Sequence, residues 1–164
     1  MLKLLDAISA LTGRVLIWLI FGVMIFTCAV VFMRYVLGNS DVTFYQELVI
    51  YSHASAFMLS AAWTLKRDGH VRVDVLYRSM GVRSKAWVNI IGALVFLLPV
   101  SIFLFFTSFE FASHSWAIQE ASGEAGGIPA VFLLKSVIPL ASLFLIIQGL
   151  AEVTRNTLLL YKTG

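Results

Sequence analysis

The feature that most constrains this chain is a set of four apolar runs, each nearly free of charge. The first covers about residues 15–37 and carries no charged side chain between Val15 and Met33. The second, about 44–65, is apolar from Leu48 to Leu65 apart from His53 and small hydroxyl residues. The third, about 86–110, is uncharged from Ala86 to Phe109, and the fourth, about 130–152, contains Lys135. Crossing ~30 Å of hydrocarbon takes about 20 helical residues at a rise of ~1.5 Å each. In lipid every backbone N–H and C=O must be satisfied within the protein, which leaves helices or closed barrels. Barrel strands would read as alternating segments of about 10 residues, and the sequence has no such alternation. The expectation is an all-α integral membrane protein with four transmembrane helices in a single membrane domain, residues 1–164. The first run is too long for a signal-peptide core and is followed by Gly38-Asn39-Ser40-Asp41, so it is expected to be retained.

Composition agrees. The chain is 60% hydrophobic and 13% charged, where a soluble domain carries roughly 25% charged residues. A soluble protein of this size has too much outward surface to hide so many apolar side chains. The formal charge of +3 matters less than where the positive residues fall. Lys3 and Arg14 precede the first span. Lys66, Arg67, Arg72, Arg78, Arg83 and Lys85 fill the connection 66–85, and Arg155 and Lys162 follow the fourth span. Only Arg34 and Lys135, of 12 Lys and Arg in all, fall on the opposite side. Asp41, Glu47, Glu110, Glu120 and Glu124 gather there instead. The positive-inside rule then places both termini and the basic connection in the cytoplasm. The one cysteine, Cys28, excludes an internal disulfide framework and reads as a small buried hydrophobe.

Two stretches read as short interfacial amphipathic helices. Val73, Leu76, Tyr77 and Met80 repeat at helical spacing, with Asp74, Arg78 and Ser79 on the other face. Leu4, Ile8 and Leu11 form a weaker stripe near the N-terminus. Pro129 suits the first turn of the fourth helix, where a missing N–H leaves nothing unpaired. Pro99 and Pro139 fall inside the third and fourth spans and are expected to kink them.

Polar residues at membrane depth are expensive and therefore informative. Arg34 and Glu47 flank the first turn at similar depth and are expected to form a structural ion pair, the alternative being that Arg34 meets an anionic solute. The second span carries Gln46, His53, Ser60 and Thr64 at spacings of seven, seven and four. It also carries Ser52, Ala56, Ser60 and Thr64 at four-residue steps, a ridge of small residues that permits close approach of another helix. His53 reads as a packing or hydrogen-bonding residue, with haem ligation or proton relay as alternatives. Lys135 and Glu110 lie near the outer boundary, where long side chains reach water.

The chain has no phosphate-binding glycine loop, HExxH, CxxC pair or catalytic triad. No charged path crosses the spans, and paired broken helices of the inverted-repeat kind are lacking. These features indicate a non-enzymatic subunit that depends on a partner.

The residues that carry these signals resemble a known family. Phe32-Met33-Arg34-Tyr35-Val36-Leu37-Gly38, Gln46-Glu47-Leu48 and Ala61-Ala62-Trp63 are followed by Lys66, Arg67 and His70-Val71-Arg72-Val73-Asp74-Val75. Together they resemble the small permease (DctQ-type) subunit of TRAP (tripartite ATP-independent periplasmic) transporters. Gly127-Ile128-Pro129, Lys135, Ile138-Pro139 and Gln148-Gly149 resemble the family's last-helix pattern, although Leu140-Ala141 stands where many relatives have glycine.

The resemblance implies a scaffold in the bacterial inner membrane. It would support a large permease subunit in sodium-coupled uptake of an organic anion delivered by a periplasmic substrate-binding protein. Membrane lipids would fill the seam between subunits, and neither a cofactor nor nucleic acid is implied. Under it, Arg34 and Glu47 pin the first hairpin, and Ser52, His53, Ala56, Ser60 and Thr64 are packing or subunit-interface candidates. Lys66, Arg67, His70, Arg72 and Asp74 hold the cytoplasmic connection, while Pro129, Lys135, Pro139 and Gln148 shape the fourth helix. The alternatives are a membrane anchor of a respiratory complex with His53 as haem ligand, or a stand-alone exporter.

Overall fold

In the computed structural model, which describes residues 2–39, 41–67, 69, 77 and 79–163, the apolar runs are all helical. We number the helices α1 (Leu2–Tyr35), α2 (Thr43–Lys66), α3 (Val82–Ala117) and α4 (Val131–Thr163). Each is long and apolar enough to cross a membrane, and no strand occurs among the described residues. With 34, 36 and 33 residues, α1, α3 and α4 are each about 50 Å long. That exceeds ~30 Å of hydrocarbon, so their ends project beyond the apolar layer.

The excess length corrects one expectation. The stripe of Leu4, Ile8 and Leu11 belongs to α1, which begins at Leu2, and is not a separate interfacial helix. Likewise α3 starts at Val82, so Arg83 and Lys85 lie in its first turn and not in a loop. Of the stretch expected as a second interfacial helix, only Tyr77, Ser79 and Met80 lie within the described residues, Tyr77 and Ser79 being helical.

α1 ends because Gly38, at φ 63°, adopts the left-handed conformation that side chains disfavour. Leu37 and Asn39 donate their N–H groups to the last carbonyls of the helix, those of Phe32 and Met33. The Asn39 side chain then accepts the Asp41 N–H at 2.9 Å, an Asx turn that delivers the chain to α2.

α4 is the central helix. α3 lies along one side of it and α2 along another, while α1 packs on α2 and touches α4 more lightly. α2 and α3 hardly meet, which leaves a groove between them with α4 as its floor. Many of the buried positions on α3 and α4 are small, Ser101, Ser108, Ala112 and Ser115 on the first and Ala141, Ser142 and Ala151 on the second, which suits a close contact between them. Helices associate in lipid through such close packing and not through added hydrophobicity. Two of these buried hydroxyls bond back into their own helix, Ser108 to the Leu104 carbonyl and Ser142 to that of Ile138.

The two mid-span prolines behave differently. Pro99 has no N–H, and its ring crowds the carbonyl four residues earlier. The preceding residues Ala93–Leu97 form a π-helical turn, and α-helix resumes at Leu98. A one-turn π bulge absorbs the misfit without ending the helix. Pro139 is buried within α4, which runs as one unbroken helix.

Candidate functional site

Side-chain chemistry concentrates at the two ends of the bundle. At one end, residues 118–130 join α3 to α4 and fold back over α2. Glu47 fastens this loop: one carboxylate oxygen accepts the Ser122 hydroxyl and the other accepts the Ile128 N–H at 2.5 Å. Ser122 closes the loop on itself, donating its N–H to the Ile128 carbonyl and accepting the Glu124 N–H on its hydroxyl. Gly127 lies so close that a Cβ there would come within 2.6 Å of the Glu47 carboxylate.

Glu120 makes the second fastening. Its carboxylate accepts hydrogen bonds from Lys135 at 2.5 Å and from the Ser115 hydroxyl at 2.6 Å. Its backbone carbonyl takes the N–H of Val131 at the start of α4. The Lys135 ammonium, held by Glu120, also stands 4.2 Å from the centre of the Phe111 ring. The Lys135 hydrogen bond, and after it that of Ser115, holds the Glu120 carboxyl below the usual carboxylate range. Trp116 completes this end by donating its indole N–H to Ser136 at 2.7 Å.

At the basic end, a chain of amides ties α3 to α4. Tyr77 donates to Asn89, Asn89 to Asn156, and Asn156 to the Glu152 carbonyl and carboxylate. Arg155 pairs with Glu152 at 2.7 Å. Lys85 stands over the Tyr77 ring and Arg67 over that of Trp63.

Between these ends lies the groove, about 380 Å³ in volume and walled by Phe57, Ser60, Thr64, Leu104, Ala141 and Ser142 among others. It presents almost wholly apolar atoms, and the Ser60 hydroxyl turns back to the Phe57 carbonyl.

Several expected site residues take other places. Arg34 and Glu47 do not form the ion pair expected of them: Arg34 is exposed, while the Glu47 carboxylate binds Ser122 and Ile128. The physical reason is that two loop donors, the Ser122 hydroxyl and the Ile128 N–H, reach the Glu47 carboxylate directly. The small-residue ridge is divided. Ser52 lies near Gly22 of α1, Ala56 is buried, and Ser60 and Thr64 open onto the groove.

His53 is exposed. Lys66 and Arg67 close the end of α2, whereas His70, Arg72 and Asp74 lie outside the described residues. Pro129 precedes α4 instead of entering its first turn, and sits at the centre of a tight turn closed by the Ala130 N–H on the Ile128 carbonyl. Lys135 reaches Glu120, and Gln148 is fully buried in the bundle.

Sequence reasoning missed Ser115, Ser122, Asn89 and Asn156, and treated Glu120 only as one of several acidic residues. The two asparagines carried a usable signal, since an amide inside a long apolar helix calls for a partner. Ser122 carried none, because its role depends on the loop's path.

Among the described residues no group of three His, Cys, Asp or Glu side chains could hold a metal ion. The fold and its fastenings define a multi-pass membrane protein whose polar groups tie helices and loop together. The family model described as "Tripartite ATP-independent periplasmic transporters, DctQ component" matches residues 23–158, most of the chain, and the protein belongs to this family. That family is a transporter component, the small permease part of TRAP systems, and not a family of enzymes. No curated protein and no solved structure matches the chain.

Proposed function

We propose that this chain is the scaffold subunit of a TRAP transporter in the bacterial inner membrane, with both termini in the cytoplasm. It supports a large permease subunit during sodium-coupled uptake of an organic anion, which a periplasmic binding protein delivers. The observation that carries this reading is the family match over residues 23–158. The geometry supports it. Glu47, Glu120 and Lys135 are engaged in fastening the loop, and the Asn89–Asn156 bond ties α3 to α4. Groups committed to internal bonds stiffen a support, whereas a self-contained carrier needs polar groups lining a path through lipid.

The test is affinity purification of the full chain from native membranes, followed by uptake measurements in proteoliposomes. Recovery of a larger polytopic permease is expected, together with uptake that requires both subunits and the binding protein. Uptake by this chain alone, or recovery of a haem or flavin enzyme in the permease's place, would overturn the assignment.

A further inference from the structure

His53 lies inside the membrane-spanning stretch of α2, between Glu47 and Lys66, which bracket its apolar run. It is exposed and makes no hydrogen bond to any described residue. An imidazole left against acyl chains has a donor and an acceptor unsatisfied, which hydrocarbon cannot remedy. His53 shares its helical face with Ile50 and Phe57, which are 56% and 73% exposed. The same face continues through Ser60 and Thr64 into the groove over α4.

The other large exposed faces differ in character. α1 presents Ile17, Phe21 and Met24, and α3 presents Phe103 and Phe106, side chains that lipid covers without loss. The α2 face joins an open groove, small residues on its walls and floor, and an imidazole in need of a partner.

Resting on the reading above, that a large permease subunit is the partner, we propose that one of its transmembrane helices lies along the Ile50–His53–Phe57 face of α2. Its side chains enter the groove between α2, α3 and α4, and a polar group on it hydrogen-bonds the His53 imidazole. The groove admits side chains and not a whole helix, so the partner packs across it as knobs into a hole. Ser60, Ala141 and Ser142 let that helix approach closely. A lipid chain would fill the apolar space and leave the imidazole unsatisfied, so the occupant is a protein helix.

The experiment replaces Phe57 with a photo-crosslinking amino acid in the full chain, co-expressed with its large permease and irradiated in native membranes. Phe21 on α1 and Phe103 on α3 are the control positions. Crosslinking to the large subunit is expected from position 57 and not from 21 or 103. Adducts from position 57 with lipid alone, or with a second copy of this chain alone, would overturn the proposal. So would capture of the large subunit only from a control position.

Separately, H53A is expected to lower recovery of the large subunit in mild detergent by about three- to tenfold, the range of one interhelical hydrogen bond. H53Q, which keeps a donor and an acceptor, should restore most of it, and neither change should move the Tm of the isolated chain. Unchanged recovery with H53A sinks the role of the imidazole. A complex that co-purifies while position 57 fails to label it refutes this surface and leaves the subunit assignment intact. Failure to co-purify at all refutes both.

Discussion

Glu47, near the start of α2, accepts the backbone N–H of Ile128, 81 positions further along the chain, at 2.5 Å. The bond joins the first helical hairpin to the loop between α3 and α4. α2 otherwise meets the second hairpin along its side, through α4. Anchoring the loop over its end removes a freedom that lateral helix packing leaves open, since packed helices in lipid still slide and tilt.

Replacing Glu47 with Ala removes acceptors from Ser122 and Ile128 at once. A hydrogen bond to a charged group is worth about 1.5–3 kcal/mol, so the variant should lose that order of stability in detergent. Glu47→Gln keeps one carbonyl oxygen and should lose roughly half as much. Amide hydrogen exchange at Ile128 reads the local effect directly, and an exchange rate unchanged by Glu47→Ala would show that the loop is held by other means.

The Glu120–Lys135 pair gives the loop a pH dependence. In the folded protein Lys135 and Ser115 hold the Glu120 carboxyl below its usual range. A carboxyl lowered on folding stabilises the protein above its unfolded pKa, and the contribution is lost as pH falls through the folded value. The Tm difference between the parent chain and Glu120→Gln is therefore expected to be constant near neutrality. It should shrink progressively as pH drops below the ordinary carboxylate range. A difference that grew on acidification would contradict the assignment.

The number of helices was legible because run length alone decides whether an apolar segment spans lipid. Their ends were not, because α1, α3 and α4 continue through residues of mixed polarity that hydropathy treats as loop. The sequence shows Lys135 only as a long side chain within reach of water, since its partner Glu120 sits in a loop whose path depends on local turns. One of these is Gln119 at φ 47°. Arg34 was the visible opposite charge for Glu47, but the real partners are a hydroxyl and a backbone N–H, and backbone donors leave no mark in a sequence. The exposure of His53 was equally hidden. A helix face toward lipid and one toward a partner helix have nearly the same composition.

Gly127 tests the closeness of the loop to α2. A Cβ at this position would fall 2.6 Å from the Glu47 carboxylate and as near to the Ser122 Cβ. Gly127→Ala must therefore displace the loop or the carboxylate, at about 1–3 kcal/mol by analogy with overpacked cores. Combining it with Ser122→Gly, which clears the space on one side, should recover part of the lost Tm. If Gly127→Ala alone leaves the Tm unchanged, the approach is not as close as described.

Asn89 and Asn156 test the opposite end. The Asn89 amide donates to the Asn156 carbonyl oxygen at 3.2 Å, and Asn156, only 7% exposed, passes its own amide hydrogens to Glu152. Either asparagine replaced by leucine leaves its former partner with an unsatisfied group, a loss of about 1–3 kcal/mol. Replacing both removes the unsatisfied pair together, so the double variant should be less destabilised than the sum of the singles, with a coupling of about 0.5–1.5 kcal/mol. The Tm values of the four proteins in one detergent complete the cycle. Strict additivity would mean that the two amides do not act on each other, and that α3 and α4 are held at this end by packing alone.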